Sequence, residues 1–338
     1  MSQKIVAHVE QAIQASQVPN VGKVRVPIIV VEFADKKVSN PIDAFSNHYN
    51  QGANSARQYF IDQSNGKFEP QFDVFGVYEL SGNREAYGGN NLNGSDKGVA
   101  KMVAEACDLA KQNSDINWAN YDNNGDGICD VVMVVFAGVG EAQAAATVPN
   151  AIWPCQWTLA DAAAMGDGPG MKDYDGITVN KFAVFNEVQG RFDTNTVLDG
   201  IGTFCHEFSH CIGLPDFYMT TYGAEYGMGT WSLMDYGCYN NNGNTPVGYN
   251  AYEKSFFGWI ELVTPQPDTE YRLPVFNGKT ITSDWAMKVE SPLNANEYYV
   301  IENRRRQGWD SYISDEGVMI THVTYVPARW KENSVNNY

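Results

Sequence analysis

Eleven consecutive residues, His206-Glu207-Phe208-Ser209-His210-Cys211-Ile212-Gly213-Leu214-Pro215-Asp216, restrict what this chain can fold into more than any other stretch. Two histidines four apart lie about 40° apart around a helix axis, so a helix here turns both imidazoles toward one point, with Glu207 beside them. Gly213, three residues past the second histidine, takes φ > 0 at little cost, so it ends the helix and brings Asp216 back as an oxygen ligand. Two histidines and a carboxylate leave a fourth position of a tetrahedral zinc site for water. At average residue usage, His-Glu-x-x-His arises by chance in roughly one chain in a hundred of this length. Requiring Gly and Asp as well lowers that below about one in ten thousand, so the extended pattern is a signal and the short one is not. Ile201, Phe204, Cys205, Phe208, Cys211 and Ile212 fall on one side of the helical wheel, opposite His206 and His210. The competing reading is a buried helix whose histidines only satisfy neighbouring polar groups.

A second element lies in Trp231-Ser232-Leu233-Met234-Asp235-Tyr236-Gly237. Met234 has the sequence setting of the methionine that forms an apolar floor under a catalytic zinc. Tyr236, two residues later, is placed to turn its hydroxyl toward a substrate oxyanion. Taken alone, the same residues also describe a core methionine and a surface tyrosine.

The chain has 338 residues, enough for one large domain or two ordinary ones. Forty acidic residues against 23 basic ones give a net charge of −17, which argues against nucleic acid or an anionic membrane as partner. The one basic run, Arg304-Arg305-Arg306, reads as a solvated strand or turn. No window approaches 18 apolar residues, and Met1-Ser2-Gln3-Lys4 lacks an apolar signal core, so neither a transmembrane span nor an export signal is visible. Six widely spread cysteines permit disulfides without implying a framework. Cys205 and Cys211 read as small buried residues, poorly placed to bond to each other.

Residues 1–22 read as a polar helix and turn, a leader or linker remnant. Val24 to Phe33 is a β-branched run of the kind covered on both faces, despite Pro27. Helical patterns follow at 41–49 and 55–63, a strand at 72–80, an amphipathic helix at 96–112 capped by Ser95 or Asp96, and an apolar strand at 131–136. Strand alternating with helix indicates an α/β sheet. Asp122-Asn123-Asn124-Gly125-Asp126-Gly127-Ile128-Cys129-Asp130 places oxygen donors at Asp122, Asn124, Asp126, Ile128 (by its carbonyl) and Asp130. This resembles the first nine positions of a calcium loop, although the twelfth, which should be Glu, is Met133. The other reading is a plain Asn-Gly and Asp-Gly turn. Residues 137–151, small and rich in alanine, read as a mobile strap beside the cleft. From about Tyr271 the texture changes to alternating segments such as 298–302 and 318–323, which indicates a β-rich C-terminal subdomain. His322, alternating with apolar neighbours, reads as a structural strand residue. The expected division is 1–22, a catalytic domain at 23–265 and the β-rich subdomain at 266–338, with natural sequence expected to continue past Val335-Asn336-Asn337-Tyr338.

Taken as a set, these motifs resemble the immune inhibitor A type of secreted bacterial metallopeptidase, a metzincin-like family. The resemblance runs from about Val24 to Asn336. It is carried by Ile28 to Asp35, by Tyr59-Phe60 with Ser64-Asn65-Gly66-Lys67, by the Asp122 to Asp130 loop running into Val131, and by Ile152-Trp153. It continues through the metal motif with Leu214 to Tyr218, Ser232-Leu233-Met234, Tyr252-Glu253-Lys254, Gly258-Trp259 and Tyr299 to Arg304. It implies an extracytoplasmic zinc endopeptidase of metzincin-like zincin fold, with a twisted mixed sheet and an active-site helix. His206, His210 and Asp216 would bind zinc, and Glu207 would act as the acid/base on a zinc-bound water. A protein or peptide substrate follows, with a monomer favoured and secretion or the cell surface as location. The chain departs from the usual family architecture in having little sequence before Val24 and cysteines around the histidine motif. Two rivals stand: a catalytically silent zinc-fold binding protein at the cell surface, which the intact Glu207 argues against, and a peptidase taking Glu225 or Glu253 as third ligand, which the Gly213–Asp216 spacing argues against.

Overall fold

The computed structural model describes residues 18–91, 96–221, 227–277, 285–294 and 296–337. Residues 1–17, Ser95 and Glu225, which carry part of the leader, one candidate cap and one candidate ligand, lie outside them.

A five-stranded sheet organises the molecule. Strand β1 (Gly22–Glu32) is followed by helices α1 (Ile42–Asn50) and α2 (Ala56–Gln63) and by β2 (Phe68–Glu79). Helix α3 (Val99–Asn113), the short β3 (Ile128–Cys129) and β4 (Val132–Phe136) come next. Then come β5 (Cys155–Thr158), a small hairpin of β6 (Lys172–Tyr174) and β7 (Ile177–Val179), β8 (Lys181–Asn186) and helix α4 (Ile201–Cys211). The strand order is β2-β1-β4-β8-β5, parallel except for the antiparallel edge strand β5. All five residues of β4 are buried, as a parallel strand with layers on both faces requires.

Alternation along the strands sorts side chains into two cores. Ile28, Val30, Met133, Val135 and Phe185 face one way and pack with α1, α2 and α4. Ile29, Val31, Val132, Val134 and Val184 face the other way and pack with Val99, Met102, Val103, Ala106 and Ala110 of α3. Pro27 is tolerated in β1 because the ladder to β4 starts only at Ile28, so Pro27 pairs with one neighbour, opposite Asp73 of β2. Strand β2 begins four residues before the expected Phe72, because Phe68 and Pro70 are buried against the start of β1. Pro70 has no amide hydrogen to donate and is accommodated by the edge position of β2.

Helix α3 also starts later than expected. Asp96 does not cap it; its carboxylate accepts from the Trp153 amide at 2.9 Å. The free amides of Ala100 and Lys101 are instead taken by Asp167, at 2.9 and 3.3 Å, from a loop 67 and 66 residues away. Residues 137–151 are not a free strap. They form a short helix, Glu141–Ala144, and Val139, Ala144, Val148 and Ala151 build a small cluster with Val188.

The remaining elements are helix α5 (Ala251–Phe256), strands β9 (Leu262–Val263), β10 (Val275–Phe276), β11 (Ala286–Glu290), β12 (Glu297–Arg304) and β13 (Gly317–Thr324), and helix α6 (Pro327–Lys331). They form a second, mixed sheet around β12. Its apolar face, including Phe276, Val300 and Val323, belongs to the same hydrophobic cluster as Phe204 and Phe208 of α4. Arg304 is not solvated as the basic run suggested. It is fully buried, bonds Asp310 through Nε and Glu302 through Nη1 at 2.7 and 2.9 Å, and donates to the Gly248 carbonyl at 3.0 Å. Glu302 in turn accepts from the Ala251 amide at 2.5 Å, so one ionic network ties the second sheet to α5. No described helix is long and apolar enough to cross a membrane.

Candidate metal centre

Helix α4 covers the span that the apolar periodicity indicates. Ile201, Phe204, Cys205, Phe208 and Cys211 enter the core, where Phe204 meets Tyr49, Phe72 and Phe185. Gly202 stands inside the helix, where glycine costs about 1 kcal/mol relative to alanine. The reason is contact: a Cβ at Gly202 would sit 1.8 Å from the Cys238 carbonyl oxygen. The helix therefore lies with its backbone directly on the segment that follows Met234.

At its other end α4 stops at a glycine turn. Gly213 has φ 115°, its amide reaches the Ser209 and His210 carbonyls at 3.1 Å, and the Leu214 amide returns to Ser209 at 3.0 Å. The turn brings Asp216 beneath the histidines. Asp216 Oδ1 lies 3.1 Å from His206 Nε2 and 3.2 Å from His210 Nε2. The two imidazoles stand nearly perpendicular, their centroids 4.8 Å apart.

Hydrogen-bond accounting shows what this arrangement lacks. His206 Nδ1 meets the Leu233 carbonyl and His210 Nδ1 the Leu214 carbonyl, both at 2.8 Å. A carbonyl only accepts, so each Nδ1 carries a proton and each ring turns its other nitrogen, Nε2, toward Asp216. The two Nε2 contacts have ionic distance but not hydrogen-bond geometry, and Asp216 Oδ1 is buried without a donor. Two ring nitrogens and a carboxylate oxygen thus converge, and the oxygen without a donor is costly for a buried polar group unless a cation completes it. Among the described residues, His206, His210 and Asp216 form the sole cluster of three or more such side chains, with ligand atoms within 4.8 Å of one another. Two imidazoles and a carboxylate suit zinc.

The local field points the same way. Burial lowers the proton affinity of His206, but Asp216, Cys238 and Glu207 overcome it and leave the pKa raised well above the usual histidine value. Asp216 shifts oppositely: burial would raise it, yet the facing His210 and His206 hold it far below the ordinary carboxylate range. A pair displaced in these opposite senses favours positive charge between its members. Glu207 is buried on the same helix; burial raises its pKa, and the two histidines only partly offset that.

Met234 is fully buried, and its carbonyl accepts from the Phe217 amide at 2.8 Å, joining its turn to the Asp216 loop. Tyr236 follows this turn, is 65% exposed, and has its ring 6.4 Å from that of Tyr239. Glu253, the alternative ligand, is committed elsewhere. It forms a capping box with Asn250 and accepts from Ser232 Oγ at 2.6 Å, bracing the methionine turn from behind.

The Asp122–Asp130 loop stands apart from this centre. Asp122 Oδ1 accepts from the Gly125 and Asp126 amides and Oδ2 from Gly127, at 2.8 to 3.0 Å. Asn124 Oδ1 accepts from the Asp126 amide and Asp126 Oδ1 from the Ile128 amide. Asp130 Oδ2 accepts twice from Asn123, through its amide and Nδ2. The loop is thus a self-capped turn, and nothing in its hydrogen bonding calls for calcium. His322, too, is a surface strand residue, stacked on Tyr299 and 3.0 Å from Glu297.

Several residues at the centre escape the motif reading. Tyr218, two residues after Asp216, has its hydroxyl pKa raised by burial first and then by the negative charges of Asp216 and Glu207. Its proximity to a ligand in sequence was an available signal. Asn333 bonds Asp216 at two points from 117 residues away, and no local pattern announces it.

Comparison with known proteins agrees with this geometry. The family described as "Immune inhibitor A peptidase M6, catalytic domain" matches residues 32–260, more than half of the chain. The chain is 29% identical over 222 residues to "Pre-pro-metalloprotease PrtV" of Vibrio cholerae, covering 60% of this chain and 23% of that protein. It is 28% identical over 295 residues to "Immune inhibitor A" of Bacillus thuringiensis, covering 72% of this chain and 42% of that protein. A 23% identical protein of Arthroderma benhamiae, matched over 67% of this chain and 33% of its own length, carries a name that marks it as a candidate secreted metallopeptidase. The chain therefore spans less than half the length of these relatives.

Proposed function

The chain belongs to the immune inhibitor A (M6) family of metallopeptidases, and from that premise we propose that it is a zinc-dependent endopeptidase hydrolysing peptide bonds of extracellular proteins. Asp216 Oδ1 supports this most directly, because a buried carboxylate oxygen without a donor, facing two imidazole nitrogens, has a cation as its natural complement. His206, His210 and Asp216 would hold zinc, leaving a position open to solvent and substrate. Zinc held there supplies Lewis acidity, the polarisation that makes water nucleophilic near neutral pH.

The chain's own residues do the rest. Glu207 takes the proton from the attacking water and delivers it to the leaving amine, and a carboxyl of raised pKa suits both halves of that transfer. Tyr236, exposed just after the methionine turn, swings its hydroxyl to donate to the tetrahedral oxyanion. Met234 forms the apolar floor, and Gly213 makes the turn that delivers Asp216. The fold corresponds to a metzincin-like zincin, with residues 23–265 as catalytic domain, 266–338 as a β-rich subdomain and 1–22 as leader or linker. Secretion or attachment outside the cell follows from the family and from the name of the Arthroderma relative.

Zinc content and casein cleavage of wild type and Glu207→Ala, measured side by side with chelation and zinc add-back, test the proposal. One equivalent of zinc in both proteins, with cleavage in the wild type alone, is expected. Zinc without cleavage in the wild type would leave a binding-only protein, and absence of zinc would overturn the assignment.

A further inference from the structure

Asp216 is held at both ends by one side chain. Asn333 Nδ2 donates to Asp216 Oδ2 at 2.7 Å, and the Asp216 amide donates to Asn333 Oδ1 at 2.6 Å. The carboxylate thus has one oxygen engaged and the other, Oδ1, aimed at His206 and His210. Asn333 adopts φ 52°, a left-handed conformation that asparagine tolerates better than most residues. Its carbonyl accepts from Thr220 Oγ1 at 3.0 Å.

The neighbours of Asn333 grip the same loop. Trp330 Nε1 donates to the Gly213 carbonyl at 3.0 Å, Asn336 Nδ2 to the Phe217 carbonyl at 2.7 Å, and Asn337 exchanges bonds with Thr220 at 2.9 and 2.8 Å. The Trp330 ring packs among Phe217, Tyr252, Phe256 and Tyr325. The histidines need no such help, since α4 and two backbone carbonyls orient them. Asp216 sits on a loop beyond the glycine turn, where nothing local fixes the rotation of its carboxylate.

We propose that Asn333 is a positioning residue for the metal centre: it turns Asp216 so that Oδ1 alone faces the histidines, and residues 330–337 clamp the loop that carries it. This rests on the zinc reading of the His206–His210–Asp216 centre. Outer-shell partners of this kind typically change metal affinity by about 10- to 100-fold. The chemistry also predicts a rank order. Asn333→Ala removes the donor, whereas Asn333→Asp keeps the shape and the acceptor for the Asp216 amide but sets a second carboxylate oxygen against Oδ2.

The test is zinc affinity of the full chain, measured by competition with a chromogenic chelator, alongside thermal stability of the zinc-free protein. Asn333→Ala is expected to weaken zinc binding about 10- to 100-fold, and Asn333→Asp to weaken it further despite being the closer mimic. Asn50→Ala, which removes bonds to the Phe72 backbone at 2.7 and 3.0 Å, serves as a stability control; it should lower the melting temperature without changing zinc affinity. Wild-type affinity in both Asn333 variants, or a loss no greater than that of Asn50→Ala, would overturn the clamp while the zinc reading stands. His210→Ala separates the two, because zinc retained at full affinity in that variant would remove the metal centre itself, and the clamp with it.

Discussion

Residues 206–216 and 122–130 both set metal-capable donors at motif spacing, and folding leaves them in opposite states. In the first, the histidine Nδ1 protons are spent on backbone carbonyls, both Nε2 atoms face Asp216, and Asp216 Oδ1 is buried with no donor. In the second, the side-chain oxygens of Asp122, Asn124, Asp126 and Asp130 accept from amides of their own loop. Residue type and spacing are alike in quality. What separates the two is which buried acceptor lacks a donor, and such an acceptor is where a cation has the most to satisfy.

The largest test of that contrast makes one chemical change at the first of these places. Asp216→Ala should weaken zinc binding by more than about a hundredfold, beyond the outer-shell range, and abolish casein cleavage; unchanged zinc content in this variant would break the contrast. Next, Tyr236→Phe sharpens the assignment of roles at the first place. Loss of one oxyanion donor typically costs roughly 2.7–4 kcal/mol, so turnover should fall about a hundredfold with zinc retained, and full activity would remove Tyr236 from the mechanism.

Glu253 is an intermediate case, a fully buried carboxylate whose two oxygens accept from Ser232 and Asn250. Burial still pushes its pKa up from 4.5 to about 7. The native state therefore binds this proton more tightly than the unfolded chain, so the contribution is fully present below the unfolded value and is lost as pH rises through about 7. Glu253→Gln, which mimics the protonated form, should gain on the wild type by up to roughly 3 kcal/mol between those limits. Melting curves of both proteins against pH measure it, and parallel curves would refute it. The smallest effect belongs to the second loop. Asp122→Ala frees three amides and should cost about 1–3 kcal/mol with zinc content unchanged. Calcium titration of the zinc-loaded protein completes that test: a self-satisfied turn gains little, and a clear rise in melting temperature would show that its remaining lone pairs hold a cation.

Local periodicity made much of the scaffold readable. The fully apolar β4, the one-sided α4 and the Gly213 turn follow from residues within a few positions of one another. Misreadings arose where a distant group supplied what the local sequence lacked. Asp167 caps α3 in place of Asp96, because the free amides of a helix take the nearest acceptor in space. Arg304 is buried rather than solvated because Glu302 and Asp310 surround it, and only one of those lies on its own strand. The run at 137–151 lost its freedom to a small cluster closed by Val188.

The metal centre divides along the same line. The sequence by itself determined that His206 and His210 share a helical face with Glu207 beside them, because helix geometry depends only on residues one turn apart. It also determined that Gly213 would turn the chain toward Asp216. Tertiary structure alone decided which oxygen of Asp216 faces the histidines, since Asn333 arrives from 117 residues away. It also decided that Glu253 would brace the methionine turn and that the Asp122 loop would satisfy itself. A side-chain dihedral beyond a turn has no local repeat to set it, and only contacts between distant segments can hold it.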